Sequence, residues 1–336
     1  MSVRREATPE QASLLSSCAG AGEPSAPCGR KGPSNEASKA EEQVQYRLWQ
    51  FVTAVVRRLP PRAGYAIAGV VGWFGYYLWP GGRRSMLRNY RHVLRGAPAS
   101  EIRRVARRSL INYCCYLADF VRFPSLTPQQ MVSAVAGDES FAALDRALEG
   151  GKGAIIVCMH LGNWDLGAGA AAARGYQATV VAETFPDPRL DAIVAGARRR
   201  LGMSIVKMEK AGPSLLRALK NNGVLALLID RPVPGEGVKV EFFGEQVEVP
   251  AGPARIALRS GATVVPAAFP RREPNGMPVQ VLTDFGIAYK PTGDDTHDVR
   301  ELTQAIMKSH ERFIREYPAQ WYMFREMWPR SAGVPA

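Results

Sequence analysis

Apolar and polar positions fall into two regimes along this chain. In the second half, short apolar runs alternate with stretches of helical spacing. Residues 154–159 form a β-branched-rich run behind Gly150-Gly151-Lys152-Gly153, and the run ends in His160 followed by a Gly162-Asn163 turn signal. A run of this kind reads as a strand buried on both faces. The Ala/Gly-rich stretch 166–173 that follows reads as a closely packed helix. Further strands are predicted over 179–182, 204–206, 224–229, 263–269 and 279–283, with a hairpin of 238–243 and 246–249 around Gly244-Glu245. Helices are predicted over 188–201, 213–221, 253–260 and 299–317, and Asp138 is placed as the cap of another bearing Phe141, Leu144 and Leu148. This rhythm predicts an α/β fold with a mostly parallel central sheet covered by helices.

The first regime is different. Residues 63–79 run for seventeen positions without a charge and include Trp73, Phe74, Tyr76, Tyr77 and Trp79, between Arg62 and Arg83-Arg84. Seventeen residues is the lower limit for a bilayer-spanning helix, and four glycines dilute the run further. Aromatics flanked by arginines are what an interfacial helix offers to anionic lipid head groups, while an internal core helix is the plain alternative. Two amphipathic helices follow, over 83–95 and 101–120. Residues 1–43, rich in Ser, Ala, Gly and Pro, lack the apolar surface to offset ordering and are expected to be a disordered tail. The remainder divides into basic, aromatic-rich, membrane-associating helices over 44–96, an α/β domain over 97–330 and a short tail over 331–336.

Charge sharpens this division. The chain carries a formal net charge of +12 over 336 residues, and residues 44–110 hold thirteen arginines against a single acid, Glu101. An anionic partner surface is therefore expected there. A bilayer fits better than a nucleic acid, which does not ask for so apolar a stretch between the arginines. The five cysteines have neither metal-ligand nor disulfide-framework spacing. Neither a Walker A loop nor a dinucleotide fingerprint occurs at a strand–helix turn, so no nucleotide cofactor is expected.

Candidate chemistry gathers at the end of the 154–159 strand, where open α/β sheets place ligands. His160 at a strand end, with Asp165 folded back through the turn onto its far ring nitrogen, makes a general base with its orienting carboxylate. The plain alternative is that His160 ends the strand and Asp165 caps the next helix. Cys158 shares a strand face with His160, so a thiol nucleophile stands beside the common reading of an inert buried cysteine.

Several segments together carry a family resemblance: His160-Leu-Gly-Asn-Trp-Asp165, Leu227-Leu-Ile-Asp230-Arg231, Val240-Glu-Phe-Phe-Gly-Glu245, Ala251-Gly-Pro-Ala-Arg-Ile-Ala257, Gly261-Ala-Thr-Val-Val-Pro266 and Pro318-Ala-Gln-Trp321. In this order and spacing, residues from about 44 to 330 resemble the lysophospholipid-acyltransferase-like superfamily, in its lipid A late acyltransferase and phosphatidylinositol-mannoside acyltransferase branch. The resemblance implies an acyltransferase at the cytoplasmic face of the inner membrane. It would move a fatty acyl chain from a thioester, on coenzyme A or acyl carrier protein, to a sugar hydroxyl of a membrane lipid. His160 and Asp165 would be the catalytic pair. On their own chemistry, Glu183, Asp230, Arg231 and Glu245 are candidates for gripping sugar hydroxyls or a phosphate, and Arg255 for a donor phosphate, against the plain alternatives of loop salt bridges and a solvated helix face. Asp165 stands where lipid A enzymes usually carry Glu, and the glycerol-phosphate signature Pro-Glu-Gly-Thr-Arg is missing. Val181-Ala182-Glu183 and Phe242-Phe-Gly-Glu245 look closer to the mannoside-acylating group, and the missing signature argues against a plain glycerophospholipid acceptor. Two other functions stay open on the residues alone: a non-enzymatic lipid-binding module, and a thioesterase that uses water as acceptor.

Overall fold

The strand of residues 154–158 lies at the heart of the sheet. In a computed structural model of the chain, the residues described are 53–135, 139–182, 187–207, 211–231, 237–273, 276–284 and 289–328, with positions 43, 46, 47, 50, 51 and 287. The expected tail 1–43 is thus almost entirely outside the described residues, as are Asp138 and the segment 331–336.

The six-stranded sheet runs β3 (Ser204–Lys207), β2 (Ala178–Ala182), β4 (Val224–Leu228), β1 (Ala154–Cys158), β7 (Thr263–Ala268) and β8 (Leu282–Thr283). The first five strands are parallel, and β8 pairs antiparallel to β7 at the edge. The strand expected over 279–283 shrinks to the two residues of β8, with Val279 held by isolated bridges instead. The hairpin β5 (Val238–Phe242) and β6 (Glu245–Val249) forms a separate two-stranded sheet.

Burial follows the strand period of two. Ile155, Val157 and Met159 enter one core, and Ala154 and Cys158 the other. The first core is closed by α8 (Ala211–Lys220), α9 (Gly252–Ser260), α10 (Asp295–Glu316) and the hairpin. The second is closed by α4 (Pro128–Ala134), α5 (Glu139–Leu148), α6 (Trp164–Ala173) and α7 (Pro188–Arg200). Both faces of the parallel sheet are covered, as the continuous apolar runs require.

Three N-terminal helices wrap this body: α1 (Pro61–Leu78), α2 (Pro80–Val93) and α3 (Ala99–Arg122). Met86, Tyr90 and Val93 of α2 share the first core with the sheet, so the fold has no boundary near residue 96. Helix α1 is amphipathic in an unusual sense. Its buried positions are Gly64, Tyr65, Ala68, Gly72 and Tyr76, four-residue steps that place small residues against α3. A β-carbon at Gly72 would sit 2.6 Å from the Ile111 Cα, so the glycine permits the close approach. The opposite face exposes Ile67, Val70, Val71, Trp73, Phe74, Tyr77 and Leu78. Among the described residues, no helix is long and apolar enough to cross a membrane.

One core group bears on stability. His310 of α10 is fully buried, and neither ring nitrogen has a hydrogen-bond partner among the described residues. Burial pushes its pKa down to about 4, against the raising influence of the Asp230 and Asp284 carboxylates. An unfolded histidine titrates near 6.5, so between those values the unfolded chain binds more protons than the folded one. Stability is therefore expected to be level above pH 7 and to fall as the pH drops, with the His310 share reaching about 3 kcal/mol by pH 4. Urea unfolding of His310→Leu beside the wild type at pH 7.5 and 5 checks this. The variant should lose less stability across the interval, and equal losses would exclude His310 as the cause.

Candidate active site

Strand pairing brings the chemistry together. β1 and β4 pair in parallel with a constant offset, from Ala154 opposite Val224 to Cys158 opposite Leu228. Two residues beyond, the same offset sets His160 level with Asp230. The His160 backbone N–H donates to Asp230 Oδ2 at 3.0 Å, and its Nδ1 lies 2.7 Å from Asp230 Oδ1. Trp321 Nε1 donates to the same Oδ2 at 3.0 Å. Asp230 is fully buried. Burial pushes its carboxyl up, but the His160 charge and the hydrogen bonds from His160 and Trp321 outweigh it and hold the pKa below the usual value. The carboxylate therefore accepts from an Nδ1–H, which leaves Nε2 as the basic nitrogen.

The turn after His160 is pinned from several sides. Tyr322 N–H donates to the His160 carbonyl at 2.7 Å, Gly162 N–H to the Gln320 carbonyl at 2.9 Å, and Asn163 N–H to the Phe269 carbonyl at 2.8 Å. Gly162 has φ of 69°, and a β-carbon there would lie 1.9 Å from the Phe269 oxygen, so glycine alone fits. Asn163 then caps α6, its side-chain oxygen accepting from Leu166 N–H.

That cap corrects the expected role of Asp165. With Asn163 as cap, Asp165 occupies the second helical position, and its carboxylate is bound by side chains of α3 and α7. Tyr116 donates to its Oδ2 at 2.7 Å, and Arg198 grips both oxygens at 2.7 and 3.2 Å. The carboxylate on the His160 ring is Asp230. Asp165 clamps three helices instead.

His160 lines a largely apolar cavity of about 430 Å³ whose wall is drawn from the sheet, α5, α6 and the start of α9. Phe141, Leu144, Ile156, Cys158, Ala226, Leu228 and Phe269 form much of its wall, and Arg198 and Arg231 contribute charge. Trp164 stands edge to face with the His160 ring at 5.1 Å and stacks on Tyr116 at 4.3 Å. Burial, with the nearby Asp230 charge, pushes the Cys158 thiol well above its ordinary pKa, which leaves it protonated and a poor nucleophile.

Of the expected substrate-gripping residues, Asp230 and Arg231 come to the site. Glu183 lies outside the described residues. Glu245 does not reach the cavity: it sits on the β5–β6 hairpin, paired with His92 at 2.9 Å and Arg95 at 3.2 Å. Arg255 is exposed on α9 and absent from the cavity wall, although Gly252, Pro253 and Ile256 of the same helix line it. Sequence reasoning missed Tyr116, Arg198 and the role of Trp321, whose contacts join distant segments. Only Trp321 left a signal, as the end of the Pro318-Ala-Gln-Trp321 segment.

A family model described as bacterial lipid A biosynthesis acyltransferase matches residues 35–330. The chain is 29% identical over 264 residues to a phosphatidylinositol mannoside acyltransferase of Mycobacterium tuberculosis (strain ATCC 25618 / H37Rv), covering 75% of this chain and 79% of the relative. It is 28% identical over 282 residues to the protein of the same name from Mycolicibacterium smegmatis, covering 82% and 88%.

The clamp at Asp165 has a measurable consequence. Its carboxylate is almost wholly buried, and Asp165→Ala leaves Arg198 and Tyr116 without their acceptor. Removing one partner of a buried pair typically costs about 3–5 kcal/mol. Chemical denaturation of the variant should show a loss on that scale, and a loss below about 1 kcal/mol, typical of an exposed pair, would contradict the clamp.

Proposed function

The chain belongs to the bacterial lipid A biosynthesis acyltransferase family, and we propose that it transfers a fatty acyl chain from a thioester to a sugar hydroxyl of a membrane glycolipid. The observation that carries this reading is a histidine, oriented by a buried carboxylate, that opens on an apolar cavity. A phosphatidylinositol-mannoside-like acceptor is favoured over lysophosphatidic acid by the named relatives and by the missing Pro-Glu-Gly-Thr-Arg signature.

The steps follow from the residues. His160 Nε2 removes the proton from the acceptor hydroxyl as the oxygen attacks the thioester carbonyl. Asp230 holds the Nδ1–H tautomer and stabilises the imidazolium. The tetrahedral oxyanion is met by backbone N–H groups in the first turn of α6, which starts four residues after His160. Collapse breaks the carbon–sulfur bond, and the thiolate leaves with the proton from His160. The cavity holds the acyl chain, whose burial contributes about 0.8 kcal/mol per methylene. Arg231, which lines the cavity, would meet a phosphate of donor or acceptor.

The exposed face of α1 presents this machinery to an anionic bilayer at the cytoplasmic side of the inner membrane. Trp73, Phe74 and Leu78 supply apolar area. Arg107 donates to the Tyr77 hydroxyl of this helix at 3.1 Å, and the flanking sequence carries Arg62, Arg83 and Arg84. Each surface arginine adds about 1 kcal/mol of attraction, which salt screens, whereas the apolar part is unscreened.

Two experiments test the reading. Purified protein given a radiolabelled acyl thioester, with phosphatidylinositol mannoside or lysophosphatidic acid as acceptor, should label only the mannoside, and free fatty acid should be a minor product. In that assay His160→Ala and Asp230→Asn should each lower the rate by about 10²–10⁴, and Cys158→Ala should stay active. Efficient labelling of lysophosphatidic acid, or more than about a tenth of wild-type rate in His160→Ala, rejects the assignment. In flotation with anionic vesicles, the triple variant Trp73→Ser, Phe74→Ser, Leu78→Ser should still bind partly at low salt and be released at high salt. The wild type should resist release. Equal behaviour of the two proteins would move the membrane contact elsewhere.

A further inference from the structure

Behind the turn that carries His160 lies a buried polar cluster that the reaction above does not use. Arg271 and Asp119 form an ion pair, each side chain 1% exposed. Asp119 also accepts from the Tyr65 hydroxyl at 2.5 Å and from Asn163 Nδ2 at 2.9 Å. The backbone of Arg271 is tied to the Gln320 side chain in both directions, N–H to Oε1 at 2.7 Å and Nε2 to carbonyl at 3.1 Å. Gln320 in turn accepts from Gly162 N–H. Asp119 therefore ends on Asn163, and the backbone of Arg271 is linked through Gln320 to the adjacent Gly162.

We propose that Asp119, paired with Arg271, is a positioning residue of the catalytic turn, acting through Asn163. This rests on the reading of His160 as the general base. The two ends of an asparagine amide have nearly the same shape, so partners decide which faces where. Asp119 as a carboxylate only accepts. It draws Nδ2 to itself and so turns Oδ1 towards Leu166 N–H, where it caps α6. The cap fixes the first turn of that helix, and with it the Trp164 ring against His160 and the backbone N–H groups beside it. A buried ion pair adds little net stability over a packed apolar pair of similar volume. What this pair supplies is direction, at the two residues where the chain leaves the strand and enters the helix.

The test uses full-length protein and two changes that leave no orphaned charge. Asn163→Ser keeps a hydroxyl to accept from Leu166 N–H but removes the donor to Asp119. The double variant Asp119→Leu, Arg271→Met removes both charges together. Each should keep KM for the acyl thioester within about twofold, because neither touches the cavity wall, while kcat falls about tenfold or more, within the range that mispositioning produces. The pH midpoint of kcat/KM should also move, since the turn sets the His160–Asp230 geometry. A merely structural role lowers the folded fraction and Tm without moving that midpoint. Wild-type kcat in Asn163→Ser, or a fall in kcat with an unmoved midpoint, overturns the proposal, and Asn163→Ser decides alone if the double variant does not fold. His160→Ala measured alongside separates the two readings. Activity surviving there removes the general base itself, whereas loss there with an unaffected Asn163→Ser removes only the positioning role.

Discussion

The site depends on one strand pairing. Parallel β1 and β4 run in fixed register, and the register carries on past both strands to set the His160 N–H and imidazole on the Asp230 carboxylate. A slip of one residue would turn His160 and every side chain of β1 to the opposite face, into the other core. The two apolar cores therefore hold the reactive geometry as well as the fold. The buried Asp230 carboxylate is tolerable because it receives three donors, two from His160 and one from Trp321. Trp321 belongs to the C-terminal segment, so the far end of the chain closes the site that β1 opens.

Much of this was legible in the sequence, and the part that was not has a definite cause. Apolar runs marked the sheet, and two of them ended in side chains able to do chemistry, His160 and Asp230. Alternation and glycine punctuation also showed the hairpin and the helices. What one-dimensional spacing did not give was the partner. Asp165 is five residues from His160 and Asp230 seventy, so proximity along the chain favoured the wrong carboxylate. The deciding fact is local after all: Asn163 caps α6, which commits Asp165 to the helix and aims it at Tyr116 and Arg198. Glu245 misled for the opposite reason. It stands in a family-like segment, but its hairpin packs on α10, and its charge is taken by His92 and Arg95.

The N-terminal helices show a second limit of composition. The glycines of residues 63–79 weaken the stretch as a spanning segment, yet in the fold one of them, Gly72, lets α1 lie close along α3. The same residues that lower the mean hydropathy hand the large side chains to the outer face. A stretch that reads as a diluted membrane helix becomes a docked helix with one apolar side exposed. Its inner side belongs to the body of the protein: Tyr65 meets Asp119, and Tyr76 joins the main core.

These parts meet at one place. Asp119 accepts from Tyr65 on α1 and from Asn163 in the catalytic turn. The helix whose outer face exposes large apolar side chains is thus one carboxylate away from the histidine's turn. On the proposed reading, this arrangement favours transfer over hydrolysis. His160 is only 13% exposed, and its cavity is largely apolar, so bulk water gains little access to the thioester. A hydroxyl reaches the base only if binding energy elsewhere carries it there. A lipid held in the bilayer under α1 brings that energy through its own tails and head group, and water does not. The acceptor is then selected less by the histidine, which would deprotonate any hydroxyl, than by the surface on which the protein sits.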